Sequence, residues 1–180
     1  IFSQEGMPFS HYAVLDGDNA YETKKLVMES DLIVLAGGHV PTQNAFFHKI
    51  RLPDILKDYD GVVLGISAGS MNMAEVVYAQ PEEPGESGPE YKRFLYGLGL
   101  TDINILPHYQ KVKDDLVDGL RLYEDITYPD SMGKCFYVIP DGSYIYQDDC
   151  SCLLYGEGYR ICDGIMTRLT EQGQILDLNR

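Results

Sequence analysis

Short apolar runs alternate with amphipathic stretches along the first part of the chain. The runs with the length and composition of strands are residues 11–15, 32–36, 61–66 and 103–106. The helices predicted between them begin near Asn19, Pro41, Pro53 and Ser67. Such an alternation is typical of a parallel sheet with helices on both faces. The pattern therefore predicts an α/β protein with a three-layer α/β/α architecture and a mostly parallel sheet.

The second part of the chain has a different pattern. Residues 80–90 are rich in Pro, Gly and Glu, which predicts an exposed loop, and residues 114–125 favour a helix despite Gly119. Turn signals then separate runs that carry Tyr and Ile, so strands and hairpins are expected from Phe136 onwards. Neither a repeat nor a linker divides the sequence, and residues 1–180 are expected to form a single α/β domain.

Composition narrows the range of partners. Acidic residues number 28 against 14 basic ones, and a net charge of −14 repels nucleic-acid phosphates and anionic membrane surfaces. We therefore expect neither nucleic acid nor membrane as a partner. No run approaches the roughly 18 apolar residues of a membrane helix, and the N-terminus lacks a signal-peptide pattern. These features predict a cytoplasmic protein.

Cysteine and histidine usage gives no sign of a metal centre. The four cysteines lack the paired C-x-x-C spacing of a structural zinc site, so reduced structural thiols are expected. His11 and His48 stand apart from any other candidate ligand. We expect neither a metal ion nor a cofactor.

A candidate nucleophile lies where a predicted strand meets a predicted helix. Residues 65–69 read Gly-Ile-Ser-Ala-Gly, which fits the G-x-S-x-G turn that holds the Ser67 hydroxyl clear of a sheet. The motif alone is also compatible with a structural turn. His108 follows the strand predicted at residues 103–106, so it is expected at the same sheet edge, where it can act as the general base.

An oxyanion hole requires backbone N–H groups beside the nucleophile. Ala68 supplies one directly after Ser67, and Gly38 can supply a second if its strand lies next to that of Ser67. The alternative for Gly37 and Gly38 is that they only turn the chain.

Three motifs within residues 30–112 together resemble the peptidase E and cyanophycinase family of serine peptidases. They are Ala-Gly-Gly-His at residues 36–39, the serine elbow, and Leu-Pro-His-Tyr at residues 106–109. The resemblance implies a class I glutamine amidotransferase-like fold and hydrolysis of short peptides, such as aspartyl dipeptides or β-aspartyl linkages, through an acyl-enzyme. It also implies an acid from the segment after the nucleophile helix, which indicates Glu82, with Glu83 as the alternative.

The sequence departs from that family at two places. His39 stands where the family commonly has Asn, beside the oxyanion donor, and is expected to contact the substrate. The family's first strand and helix have no counterpart in the sequence, so the domain is expected to lack them. An aspartyl carboxylate would also need a cation, for which the candidates are Arg51, Lys92 and Arg93.

Two other functions remain open at this point. One is an α/β-hydrolase-type esterase, although that fold usually places many more residues between serine and histidine. The other is a catalytically silent binding protein of the same fold. A homo-oligomer is compatible with either.

Overall fold

The computed structural model describes residues 4–179 of the chain. Its helical segments are, in chain order, a 3₁₀-helix at Ala20–Glu22, α1 (Thr23–Met28), α2 (Val40–Lys49), α3 (Leu52–Leu56), α4 (Ala68–Met71), α5 (Tyr109–Val112), a π-helix at Leu122–Thr127 and α6 (Tyr128–Asp130). Its strands are β1 (Leu32–Leu35), β2 (Val62–Gly65), β3 (Val76–Tyr78), β4 (Phe94–Tyr96), β5 (Ile105–Leu106), β6 (Leu116–Val117), β7 (Leu120–Arg121), β8 (Cys135–Val138), β9 (Tyr144–Gln147), β10 (Cys152–Tyr155), β11 (Gly158–Cys162), β12 (Ile165–Thr170) and β13 (Ile175–Asp177).

The strands form mixed sheets rather than one mostly parallel sheet. Parallel pairs join β1 to β2 and β5 to β8. The other strand pairs are antiparallel and include a sheet in the order β13-β10-β9 and the β12-β11-β8 part of the sheet that ends in β5. The α/β class is therefore confirmed, but the expected predominance of parallel strands is wrong. Most of the antiparallel pairs lie after residue 134, where short turns join β9 to β10 and β11 to β12, and the pairs β3–β4 and β6–β7 add to them.

Two apolar clusters hold these elements together. In the first, helices α1 to α3 bury Val27, Phe47, Leu52 and Leu56 with Leu35 of β1. The second joins α4 to β3, β5, β8, β11 and the π-helix. Helix α4 also contacts β1, β2 and α2, so it lies where the two clusters meet. This position fixes the start of α4, which carries the candidate nucleophile.

Several predicted elements have their expected type. The helices predicted near Pro41, Pro53 and Ser67 are α2, α3 and α4, and three of the predicted strands are β1, β2 and β5. Residues 11–15 form no strand, and Tyr12 and Val14 are largely exposed. The capping box predicted at Asn19 is also wrong, because its side chain bonds the backbone of Asp16 and Val14 instead.

The helix predicted at residues 114–125 is wrong. The chain there forms the β6–β7 hairpin and then enters the π-helix. Asp118 and Gly119 connect the two strands with φ angles of 52° and 83°. Positive φ at both central residues is typical of a tight hairpin turn and incompatible with a continuous right-handed helix.

The expectation that all four cysteines are reduced is also wrong. Cys135 and Cys162 are partners in the register of β8 and β11, and they form a disulfide. Cys150 and Cys152 are free thiols. Disulfides are typical of oxidising compartments, so the cysteines do not favour the predicted cytoplasmic location. None of the helices within residues 4–179 has the length and hydropathy to cross a membrane.

Candidate active site

Ser67 occupies a strained turn between β2 and α4. Its φ of 54° and ψ of −124° lie in a region that non-glycine residues rarely adopt. The glycines on both sides are required by close packing. A Cβ atom on Gly69 would lie 2.0 Å from the carbonyl oxygen of Leu35, and one on Gly65 would lie 2.6 Å from Cα of Ser70. The two glycines therefore let α4 pack closely against β1 and β2. This packing permits the sharp turn that holds the Ser67 hydroxyl clear of the sheet.

His108 lies between β5 and α5 and reaches the Ser67 hydroxyl. The distance from its Nε2 to Oγ of Ser67 is 2.9 Å. His108 has φ 62° and ψ 23°, a left-handed conformation that turns the chain directly after the strand. The structure thus brings together the two residues that the sequence placed at one edge.

Asp141 contacts the other ring nitrogen of His108. Its Oδ1 lies 2.5 Å from Nδ1, and its Oδ2 lies 2.6 Å from Nζ of Lys111. The tautomer that fits both contacts has Nδ1–H donating to Asp141 and Nε2 accepting from the serine. The bonds from Lys111 and then from His108 lower the pKa of Asp141 to about 2. Asp141 is therefore an ionised carboxylate across the physiological pH range.

Glu82 was predicted to orient His108, but the structure does not bring its carboxylate to the imidazole ring. Ser67 and Asp141 occupy the two ring nitrogens, whereas the Glu82 carboxylate has no hydrogen bond within the described residues. Glu83, the alternative, does not contact the ring either. Desolvation raises the pKa of Glu82, and nearby carboxylates raise it further against the opposing effect of two histidines. Glu82 lies at the mouth of the cavity beside the nucleophile.

Glu86, which the sequence did not distinguish from its acidic neighbours, fixes the loop before β4. Its Oε2 accepts backbone N–H bonds from Glu82 at 2.8 Å and Glu83 at 3.0 Å. Its Oε1 accepts Nε2–H of His39 at 2.7 Å. Burial alone would raise the pKa of Glu86, but these hydrogen bonds outweigh it and lower the pKa.

His39 therefore has a different setting from the expected one. Its Nε2 contacts Glu86, and its Nδ1 lies 2.8 Å from Oγ1 of Thr42. With both ring nitrogens engaged inside the protein, neither is left to bind a substrate. The ring instead ties the end of β1 to the Glu86 loop.

The predicted oxyanion donors lie beside Ser67. Ala68 is the first residue of α4, and Gly38 lies just after β1 with φ 151°. A Cβ on the neighbouring Gly37 would lie 3.3 Å from Cβ of Ser67, so this glycine pair passes close to the nucleophile. The N–H groups of Gly38 and Ala68 donate no hydrogen bond to any other described residue. Both are free to bind a developing negative charge.

One group of side chains within residues 4–179 has the composition to hold a metal ion. His39, Glu83 and Glu86 can each offer a ligand atom, and these atoms lie within 4.8 Å of one another. A cation there would have to replace the bond between His39 and Glu86. The expectation of a metal-free protein stays a prediction.

A cavity of about 310 Å³ opens next to Ser67 and His108. Its other lining residues are Met71, Gln80, Pro81, Glu82, Pro107, Val112, Asp115, Leu116, Val117 and Leu122. The volume lies within the range of ligand pockets and suits one side chain of a peptide. A cavity of about 420 Å³ lined in part by Val76, Phe94 and Tyr137 shares no residue with this site.

None of the cations proposed for an aspartyl carboxylate lines the cavity. Arg51 pairs with Asp54 on the surface, and Arg93 pairs with Asp130 at 2.6 Å. Lys92 is exposed and also absent from the lining. The structure therefore does not bring these three residues to Ser67.

Comparison with known proteins identifies the family of the chain. The chain is similar to a 1.5 Å crystal structure of a Listeria monocytogenes EGD-e protein provisionally described as a peptidase E. The two share 17% identity and a TM-score of 0.53 over 83% of this chain, which spans 65% of the length of that one. No curated protein matches the chain significantly. The sequence model of peptidase family S51 matches residues 2–152, and the chain therefore belongs to peptidase family S51.

Proposed function

We propose that this protein is a serine peptidase with a class I glutamine amidotransferase-like fold, in which Ser67, His108 and Asp141 form the catalytic triad. The observation that carries the proposal is the continuous chain of contacts from Oγ of Ser67 to Nε2 of His108 at 2.9 Å and from Nδ1 to Asp141 at 2.5 Å. Nucleophile, base and acid have the mutual geometry of a Ser-His-Asp site. Family membership supports the same class of reaction.

In the proposed reaction, Ser67 attacks the carbonyl carbon of a peptide bond while Nε2 of His108 takes the hydroxyl proton. The negative charge of Asp141 stabilises the imidazolium that forms. The N–H groups of Ala68 and Gly38 bind the oxyanion of the tetrahedral intermediate. The imidazolium then donates its proton to the leaving amine, which gives an acyl-enzyme that water hydrolyses by the reverse sequence. Because the chain supplies every one of these groups, the reaction needs no cofactor.

Short peptides are the proposed substrates. The cavity accommodates about one side chain next to the nucleophile, and the net charge of −14 disfavours nucleic acid as a partner. Family membership argues against an α/β-hydrolase esterase. The remaining alternative is a silent binding protein, in which Ser67 keeps its position without reacting.

Labelling with a fluorophosphonate separates the two. Ser67 of the native protein should react covalently, and Ser67→Ala should abolish labelling and lower peptide turnover at least about 10³-fold. Ser30→Ala removes an exposed serine at the end of α1 and serves as the control with unchanged labelling. A folded native protein that does not label, and that hydrolyses no short peptide, would establish the silent alternative.

A further inference from the structure

We infer that the cavity beside Ser67 selects a peptide residue with a basic side chain, held by Glu82 and Asp115, rather than an aspartyl residue. The inference rests on the proposed function, because it concerns the residue that contributes the scissile carbonyl. The cavity is assigned to this peptide residue because Ser67 and His108 line it. The charges of the other lining residues then decide which side chain binds there.

The charged lining of the cavity is acidic. Glu82 and Asp115 lie on different segments of the lining, before β4 and before β6. Among the lining residues the only basic side chain is that of His108. Lys111 and Lys113, on either side of the lining residue Val112 in the sequence, are paired with Asp141 and Asp114. A bound aspartyl carboxylate would face two carboxylates without a partner, whereas a cation would face two opposite charges.

Both carboxylates are available to a ligand. Neither the Glu82 nor the Asp115 side chain accepts a hydrogen bond or forms an ion pair within residues 4–179. They differ in this respect from Glu86 and Asp118, whose carboxylates accept backbone N–H groups and one side-chain donor each, from His39 and Ser87 respectively. Desolvation and the neighbouring carboxylates raise the pKa of Glu82, a direction that a bound cation would oppose. A cation would supply the missing partner.

The rest of the lining suits the stem of a long basic side chain. Met71, Val117 and Leu122 are buried apolar residues of the cavity wall. Lysine and arginine place an apolar stem along such surfaces and keep the charged end at a polar rim. An α-ammonium group alone would leave this wall without a contact. The combination of apolar wall and acidic mouth therefore favours a basic side chain over a peptide N-terminus as the source of the cation.

Kinetics on matched dipeptides tests the inference. We expect kcat/KM for acetyl-Lys-Leu to exceed that for acetyl-norleucine-Leu about tenfold, since norleucine keeps the stem without the charge, and acetyl-Asp-Leu to be the poorest substrate. Glu82→Gln and Asp115→Asn should each lower the Lys to norleucine ratio at least about threefold. The exposed residues Glu90 and Asp114 provide controls of the same residue types outside the lining: Glu90→Gln and Asp114→Asn, the latter from a pair with Lys113, should leave the ratio unchanged.

A ratio near one, a preference for Asp, or an equal effect of site and control variants would each overturn the inference. Calorimetry on Ser67→Ala separates its failure from failure of the proposed function, because binding needs no turnover. Nα-acetyl-lysine amide should bind, Nα-acetyl-norleucine amide should not, and adding Glu82→Gln should weaken the lysine ligand. A third ligand, unacetylated norleucine amide, has a free α-ammonium group. Its binding in preference to Nα-acetyl-lysine amide would contradict the side-chain assignment.

The combined outcomes are distinct. Fluorophosphonate labelling of native Ser67 without discrimination between these ligands would leave the peptidase intact and refute the basic specificity. Selective binding of the lysine ligand to a protein that neither labels nor hydrolyses would refute the peptidase, and with it the substrate preference, although the cation site would remain.

Discussion

Asp141→Asn tests the triad most directly, because it removes the only carboxylate that contacts His108 within the described residues. The amide keeps the shape of the side chain but can present its NH₂ group to Nδ1, which favours the wrong tautomer of His108. For a buried acid this loss lowers kcat about 10⁴-fold. Here the side chains of Asp141 and His108 are 40% and 36% exposed, so water can replace part of the interaction. We therefore expect a loss of about 10²-fold.

The rate of fluorophosphonate labelling is the better assay, because the reagent reports the reactivity of Ser67 without requiring a charged substrate. Asp141→Asn should slow labelling by the same factor as peptide turnover. Glu82→Gln should label at nearly the native rate, since Glu82 does not contact His108 in the structure. Near-native labelling of Asp141→Asn together with a hundredfold loss in Glu82→Gln would refute the assignment and restore Glu82 as the acid. Cooperative thermal unfolding in both variants is the control for folding.

Glu86→Gln should weaken the hydrogen bonds to His39 and to the loop backbone. We expect displacement of the neighbouring oxyanion donor Gly38 to lower kcat about tenfold, while the stoichiometry of fluorophosphonate labelling stays unchanged. Replacing both Cys135 and Cys162 by Ala should lower the free energy of unfolding by about 3 kcal/mol, given their sequence separation of 27, and urea denaturation would measure it. For Glu82 the folded pKa is raised, so the protonated form is favoured in the native state and the stability it contributes at acid pH is lost as the pH rises through that pKa. Glu82→Gln should therefore raise the free energy of unfolding by about a few tenths of a kcal/mol at neutral pH and leave it unchanged at pH 3. An equal effect of the substitution at both pH values would contradict the argument.

The nucleophile and base could be predicted because their signals are local. The glycines around Ser67 are dictated by contacts within one strand-turn-helix unit, and His108 directly follows a recognisable apolar strand. Asp141 has no such signal, since residues 140–143 indicate only a turn. Its position depends on the parallel pairing of β8 with β5, which aligns the ends of these strands and brings Asp141 next to His108. A sequence reading that treats β8 as part of a hairpin cannot supply this long-range contact.

The other errors have equally specific causes. The Asp118-Gly119 pair favours a hairpin turn strongly enough to override the helix predicted at residues 114–125. The disulfide was missed because Cys135 and Cys162 become neighbours only through the register of β8 and β11. In each case the deciding interaction joins residues whose proximity is a property of the fold.

Asp118, at the turn of the β6–β7 hairpin, links two segments of the cavity lining before any ligand arrives. Its carboxylate accepts the backbone N–H groups of Gly85 and Ser87 and the Ser87 hydroxyl, at 2.7 to 3.1 Å. One side chain thus links the segment that carries Asp115 to the loop that carries Glu82. The two lining segments are preorganised by this link, so the protein loses little conformational entropy when a ligand binds. Amide hydrogens of Gly85 and Ser87 should accordingly exchange slowly in the free protein, although both lie in a surface loop.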